Sequence, residues 1–244
     1  MRENLIRLAI ENEGDYFRIR RALERKEEAD QSIPVQQALT ILDGEYPKKL
    51  LELRYPPYVL FYEGDLDLLK GKMVSIVGSR ESCSYGEWIT REIVKNLRYD
   101  YAIVSGMAKG IDSVAHSSAR NTIGILGNGL DVIYPRVNEQ LYGYMKKYQL
   151  LLSEYPAGVK PLREHFPFRN RIIAALGEAV IVTQAKEKSG TMLTVNEALA
   201  INKEVYAVPY NIDDESGSGC NQLIQQGANV ILWDFKTGRL CDFI

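Results

Sequence analysis

The stretch from Met73 to Arg80, Met-Val-Ser-Ile-Val-Gly-Ser-Arg, limits most sharply what this chain can fold into. Four of its first five residues are apolar, and neither Gly nor Pro interrupts them. That pattern predicts a short strand covered on both faces. Gly78 ends it, Ser79 and Arg80 follow, and from about Gly86 a helical pattern begins with Trp88, Ile89, Ile93 and Leu97. Strand, tight glycine turn and helix form the opening unit of a doubly wound α/β sheet, in which ligands bind beyond the carboxyl ends of the strands. Arg80 is expected at such an end, as a fixed positive charge whose fork suits phosphate.

From Met73 the alternation continues regularly. Strands are expected over 74–77, 102–105, 122–126, 150–153, 179–183, 205–208 and 230–232, with helical segments between most of them. Right-handed crossovers then give a mainly parallel, doubly wound sheet with helices on both sides. Residues 1–40 read differently, as a short helical appendage. Leu5, Ile6, Leu8, Ala9 and Ile10 suggest one helix, and Tyr16, Phe17, Ile19, Ala22 and Leu23 a second. Pro34 begins either a third helix or a linker. Residues 41–72 form a connector rich in Pro, Gly and Tyr. Within it, 58–62 is a candidate strand, and the nearby prolines favour a loop or an edge strand there. Residues 73–244 carry the α/β unit.

The formal net charge is −2, so any contact with a polyanion must come from a local patch. Cys83, Cys220 and Cys241 are odd in number and lack Cys-x-x-Cys spacing, which reads as ordinary cytosolic thiols. The start, Met-Arg-Glu-Asn, has no signal-peptide apolar core, and no run approaches the roughly 20 apolar residues of a membrane span. A cytoplasmic location is expected.

Several predicted strand ends carry Gly, Ser or a basic residue. Gly78-Ser79-Arg80 is the first, and Gly106, Lys109, Gly110 and Asp112 follow the second strand. Glycines there allow close backbone approach, and amides entering a helix near Asp112 can face an anion, although Asp112 also suits a plain N-cap. Gly127-Asn128-Gly129 is a turn signal. Lys188-Ser189-Gly190-Thr191 runs into a helix containing Glu197, and can cradle a phosphate or simply cap that helix. The densest signal is Arg163-Glu-His-Phe-Pro-Phe-Arg-Asn-Arg171, with three arginines and two phenylalanines in nine residues. Pro167 suits a first helical turn. Arg169 and Arg171 fall about 200° apart on a helix, so one is expected to reach a ligand and the other a carboxylate. Guanidinium groups among aromatic rings suit single-stranded nucleic acid, the charge serving the backbone and the rings the bases. A core role for Phe166 and Phe168, with structural ion pairs for the arginines, explains the same segment.

No Gly-x-Gly-x-x-Gly follows the first strand and no Gly-x-x-x-x-Gly-Lys-Ser/Thr occurs, which argues against a dinucleotide dehydrogenase and a P-loop ATPase. His116 and His165 are the only histidines. Neither lies in a metal-ligand spacing or pairs with an obvious nucleophile, so no cofactor, metal or catalytic residue is expected.

Taken together, these blocks resemble the bacterial DNA-processing protein A (DprA, or Smf) family over about Asp43 to Leu232. The resemblance rests on the blocks at 76–80, 105–112 with Ala115-His116, 127–131 with Tyr134-Pro135, 153–156, 166–173, 188–194, 207–209 and 221–228, in that order. It implies an extended Rossmann-like domain that binds single-stranded DNA, dimerises, and loads the RecA recombinase during natural transformation, without chemical turnover. It also implies that Arg80, Arg163 and Phe166 form the DNA pocket, beside Arg169, Asn170 and Arg171, with Lys109 at a usually basic place. Together with Gly78, Ser79, Gly106, Lys188, Ser189 and Gly190, these are the expected DNA-binding residues. The departures are a shorter helical N-terminus, no winged-helix extension after Leu232, Gln184 where an acid is frequent, and Tyr210 where Gly is usual.

A second reading is an enzyme resembling nucleotide phosphoribohydrolases, or a nucleotide-binding carrier without turnover. Lys188-Ser189-Gly190-Thr191 with Glu197 is similar to their Pro-Gly-Gly-x-Gly-Thr-x-x-Glu loop. It lacks the double glycine, and Glu197 lies six residues beyond Thr191 rather than three.

Overall fold

The computed structural model describes residues 1–234, 236–237 and 239–241. The chain opens on two helices, α1 (Arg2–Glu11) and α2 (Tyr16–Glu24). Leu5, Ile6, Leu8 and Ala9 bury one face of α1, and Asp15 caps α2 by accepting the Arg18 N–H at 2.9 Å. No third helix starts at Pro34. The chain instead enters β1 (Ala38–Thr40), which pairs antiparallel with β2 (Val59–Gly64). The expectation of a loop or edge strand at 58–62 is also corrected, because β2 lies between β1 and a strand of the parallel set. Pro56 and Pro57 stop short of Val59, so every residue of β2 keeps its amide hydrogen.

The remaining strands of the main sheet are β3 (Lys72–Gly78), β4 (Tyr101–Ser105), β5 (Thr122–Leu126), β6 (Leu150–Ser153), β7 (Ala179–Gln184), β8 (Glu204–Ala207) and β9 (Asn229–Val230). Among the described residues the order is β1-β2-β6-β5-β4-β3-β7-β8-β9. All neighbours from β6 to β9 are parallel. β4, β5 and β6 are laid down outward on one side of β3, then the chain crosses back to place β7 on its other side. That reversal is the topological switch point, and it opens a crevice at the carboxyl ends of β3 and β7. A short hairpin, β10 (Trp233–Asp234) with β11 (Arg239–Leu240), follows.

Among the described residues six further α-helices flank the sheet: α3 (Ser84–Leu97), α4 (Ile111–Ser118), α5 (Glu139–Tyr148), α6 (His165–Leu176), α7 (Gly190–Ala200) and α8 (Ser218–Gln225). One core packs Ile172, Ile173 and Leu176 of α6, with Val195 and Leu223, against Val180, Val182 and Val104. A second packs Ile89, Ile93 and Leu97 of α3, with Ile111 and Ala115 of α4, against Val74, Ile76, Ile103 and Ile181. Successive residues of β7, Val180, Ile181 and Val182, thus serve opposite faces, as a doubly covered strand requires. Among the described residues no helix is long and apolar enough to cross a membrane.

Candidate functional site

A cleft of about 480 Å³ lies at the switch point. Its walls come from the turn after β3 (Gly78, Ser79, Arg80), the β4–α4 loop (Lys109, Asp112), the start of α6 (Arg163, Phe166, Arg169, Asn170) and the β7–α7 loop (Lys186, Lys188, Ser189, Gly190). Eleven of the thirteen residues expected from the sequence line it: Gly78, Ser79, Arg80, Lys109, Arg163, Phe166, Arg169, Asn170, Lys188, Ser189 and Gly190.

The Ser79 turn is pinned from both sides. Its N–H donates to Gln184 O at 2.8 Å, and its carbonyl accepts from Ile111 N at 3.1 Å. Gly78 meets Ile111 so closely that an added Cβ would lie 2.6 Å from that side chain. Gly110 has φ +77, and a Cβ there would fall against Ser79 O and Arg80. Two glycines therefore let the β3 and β4 ends touch, and this contact presents Arg80 to the cleft.

Phe166 is partly exposed. The guanidinium carbon of Arg80 lies 5.5 Å from its ring centroid and that of Arg169 lies 5.9 Å away. Tyr134 leans on the ring at 5.5 Å and 33°. Arg80, Lys109, Arg163 and Lys188 are exposed, and among the described residues no carboxylate lies within 4.0 Å of any of them. Four cations without an ion-pair partner, set against the two acids Glu81 and Asp112, make a locally positive cleft on a chain of net charge −2.

Arg169 supports this arrangement from below. It is 4% exposed and donates to Gly106 O at 2.7 Å, to Ile125 O, and to Asn170 Oδ1 at 3.2 Å. Burial pushes its guanidinium down to about 10, with the Asp112 carboxylate acting in the opposite sense. Burial likewise raises the Asp112 carboxyl, against the pull of Arg169 and the Ala108 N–H. Asp112 is not the N-cap of α4, since Gly110 holds that position. Gly106 lies under the cleft instead of lining it: a Cβ there would sit 2.7 Å from Asp112 Oδ2 and 2.8 Å from Arg169.

Arg171 is not brought to the cleft. It is 3% exposed, binds both Glu154 oxygens at 2.6 Å, and donates to Tyr55 O and Phe168 O. Its guanidinium carbon lies 3.7 Å over the Phe168 ring, which joins Tyr16, Phe17 and Tyr55 in an aromatic cluster holding α2 to the connector and α6. The turn between the two positions separates a floor residue, Arg169, from a structural one. Glu197, on which the phosphoribohydrolase reading depends, is not among the cleft-lining residues.

Lys186, which lines the cleft and pairs with Glu215 at 3.0 Å, and Tyr134, which flanks Phe166, stand outside the DNA-binding residues expected from the sequence. Lys186 was legible as a second lysine two residues before Lys188. Ser189 precedes α7 without capping it, and its hydroxyl oxygen is buried with no hydrogen-bond partner. At the α3 start, Gln184 accepts the Cys83 N–H at 2.9 Å and Tyr210 Oη donates to Thr183 O at 2.8 Å. Both side chains therefore brace the sheet end.

A doubly wound sheet with a cationic, ring-bearing crevice at its switch point defines a protein of Rossmann-like class. The family model for DNA recombination-mediator protein A matches residues 37–237, and the chain belongs to that family. The DNA processing protein DprA of Streptococcus pneumoniae is 44% identical over 198 residues, covering 80% of this chain and 70% of the relative. DprA of Bacillus subtilis is 41% identical over 239 residues, covering 94% and 78%. The S. pneumoniae crystal structure superposes with a TM-score of 0.78 at 42% identity, over 88% of this chain and 76% of that one. DNA processing protein A of Helicobacter pylori, described for its single-stranded DNA binding mode, gives 0.74 at 32% identity, over 80% and 91%.

Proposed function

We propose that this chain binds single-stranded DNA in the switch-point cleft, protects incoming strands, and loads RecA onto them during natural transformation. It acts as a homodimer in the cytoplasm and performs no chemical turnover. Arg80, Arg163, Lys109 and Lys188 neutralise backbone phosphates, and Phe166 stacks against a base. Membership of a recombination-mediator family supports the reading, as does the single-stranded DNA binding described for the H. pylori relative.

The observation that carries the proposal is the pairing of unneutralised cations with one open ring in a single cleft. A mononucleotide enzyme has no need of a phosphate-binding row. An unpaired strand needs both charge and a stacking face, and duplex DNA hides its bases from such a ring. Fluorescence anisotropy with oligo-dT of increasing length tests it. Affinity that rises with length, weak competition by duplex and none by nucleoside monophosphates is the expected result. Tight mononucleotide binding without length dependence, or release of free base, would replace it with the carrier or enzyme reading.

A further inference from the structure

The pole of the sheet opposite the cleft carries a second gathering of rings and cations. Lys72 begins β3 and Tyr99 stands just before β4. Arg120 precedes β5, and Tyr148 closes α5 just before β6. These are the amino ends of four adjacent strands. At about 4.8 Å between strands the row is roughly 14 Å wide.

The groups on this row touch in sequence. The guanidinium carbons of Arg98 and Arg120 lie 4.7 Å and 5.7 Å from the Tyr99 ring centroid. Lys147 Nζ lies 5.0 Å from the Tyr148 ring, and the Tyr144 and Tyr148 rings are 5.5 Å apart. Gln149 joins the halves, its buried side-chain amide donating to Arg120 O at 3.0 Å and Tyr144 Oη at 3.1 Å.

Two facts separate this row from ordinary surface. Tyr99, Tyr148 and Tyr144 are 69%, 57% and 41% exposed, so the rings are not packing residues. Among the described residues, no carboxylate lies within 4.0 Å of Arg98, Arg120 or Lys147. Elsewhere on the helices the exposed cations Arg20, Arg91 and Lys95 each have an acid three or four residues away, while Arg21 donates to Phe17 O and, among the described residues, pairs with no acid and lies over no ring. A solvated face normally compensates its cations in that way. Open rings beside uncompensated guanidinium groups are the chemistry of a single-strand contact.

We propose that Arg98, Tyr99, Arg120, Tyr144, Lys147 and Tyr148 form a second binding surface for single-stranded nucleic acid, on the pole away from the cleft. The choice of ligand rests on the reading given under Proposed function, but no residue is shared with the cleft. A long strand engages both poles, whereas a short one is satisfied by the cleft alone.

Ultraviolet cross-linking of the full chain to long oligo-dT, with adducts located by peptide fragmentation, tests the inference. Adducts at Tyr99 or Tyr148 are expected, alongside adducts at Phe166. The variant Arg98→Ala/Arg120→Ala/Lys147→Ala is expected to keep its affinity for short oligo-dT. For long oligo-dT it should show a slope of log affinity against log salt shallower by about 2, at about 0.7 per phosphate lost. Absence of adducts at both Tyr99 and Tyr148 overturns the inference, whatever the variant does. Adducts at Phe166 alone then leave the cleft reading standing, while adducts at Tyr99 without Phe166 sustain the second surface and sink the cleft.

Discussion

The guanidinium carbon of Arg80 lies 5.5 Å from the centroid of the Phe166 ring, although the two residues come from the end of β3 and the start of α6. A fixed positive charge thus stands directly beside a partly exposed aromatic face, the pair that the proposed function assigns to a phosphate and a base. The ring is held by Tyr134 on one flank and passes close over Gly127, where an added Cβ would lie 3.0 Å from Phe166. It is preorganised, so binding need not fix its rotamer. Phe166→Ala is expected to weaken oligo-dT binding by about 1–3 kcal/mol, with Phe166→Trp close to wild type. Anisotropy paired with thermal melts checks it. A fall in melting temperature with unchanged affinity per folded molecule would make Phe166 a packing residue.

The turn carrying Arg80 depends on Gly110, whose φ of +77 and contact with Ser79 leave no room for a Cβ. Gly110→Ala should displace the Ser79–Arg80 turn and weaken single-strand binding more than its loss of stability explains. Urea unfolding separates the two effects. Affinity restored to wild type at saturating folded fraction would show that the turn tolerates the change.

Arg171 and Glu154, with side chains 4% and 5% exposed, form a buried two-pronged ion pair. Removing one partner strands the other charge, so Arg171→Ala should cost about 3–5 kcal/mol of stability. The salt dependence of binding by the folded fraction should not move. A slope change comparable to that of Arg80→Ala would return Arg171 to the DNA site.

His116 is fully buried, and burial drives its imidazole down to about 3 from 6.5. Thr122 Oγ1 donates its one proton to Ile103 O at 2.7 Å, so His116 Nδ1, 2.6 Å away, is the protonated nitrogen of a neutral ring. Below pH 6.5 the unfolded chain takes up a proton that the native state refuses. The stability this neutral ring contributes is therefore complete above pH 6.5 and is lost as pH falls toward about 3. The rate from this one group is about 1.4 kcal/mol per pH unit. Asp112, raised by burial, works in the opposite direction, its contribution fading as pH rises. Urea midpoints of wild type and His116→Gln, taken in steps from about pH 7 to about pH 5, should diverge in slope, the variant being the less acid-sensitive. Parallel slopes would mean that the imidazole reaches solvent.

The α/β unit was legible because its strands are continuous apolar runs punctuated by glycine. The β3 run from Met73 ends at Gly78 as its pattern implies, and β5 and β6 fall on the expected residues. The divergence of Arg169 and Arg171 followed from helical pitch alone. What the sequence hid was non-local. β1 has three residues and no periodicity of its own, and exists by pairing with β2. The prolines before Val59 suggested an edge, yet they cost β2 no amide. Asp112 looked like a cap because its burial under Arg169 depends on a helix more than fifty residues away. The row at Tyr99, Arg120 and Tyr148 is assembled from three separate strand starts, and no local window contains it.

The salt dependence of oligo-dT affinity, compared between wild type and Arg80→Ala/Arg163→Ala, bears most directly on the central claim that the switch-point cleft holds the strand's phosphates. With short oligomers that occupy only the cleft, the slope of log affinity against log salt should become shallower by about 1.4, two phosphates at about 0.7 each. An unchanged slope and unchanged affinity in the folded double variant would contradict the placement of the strand in this cleft.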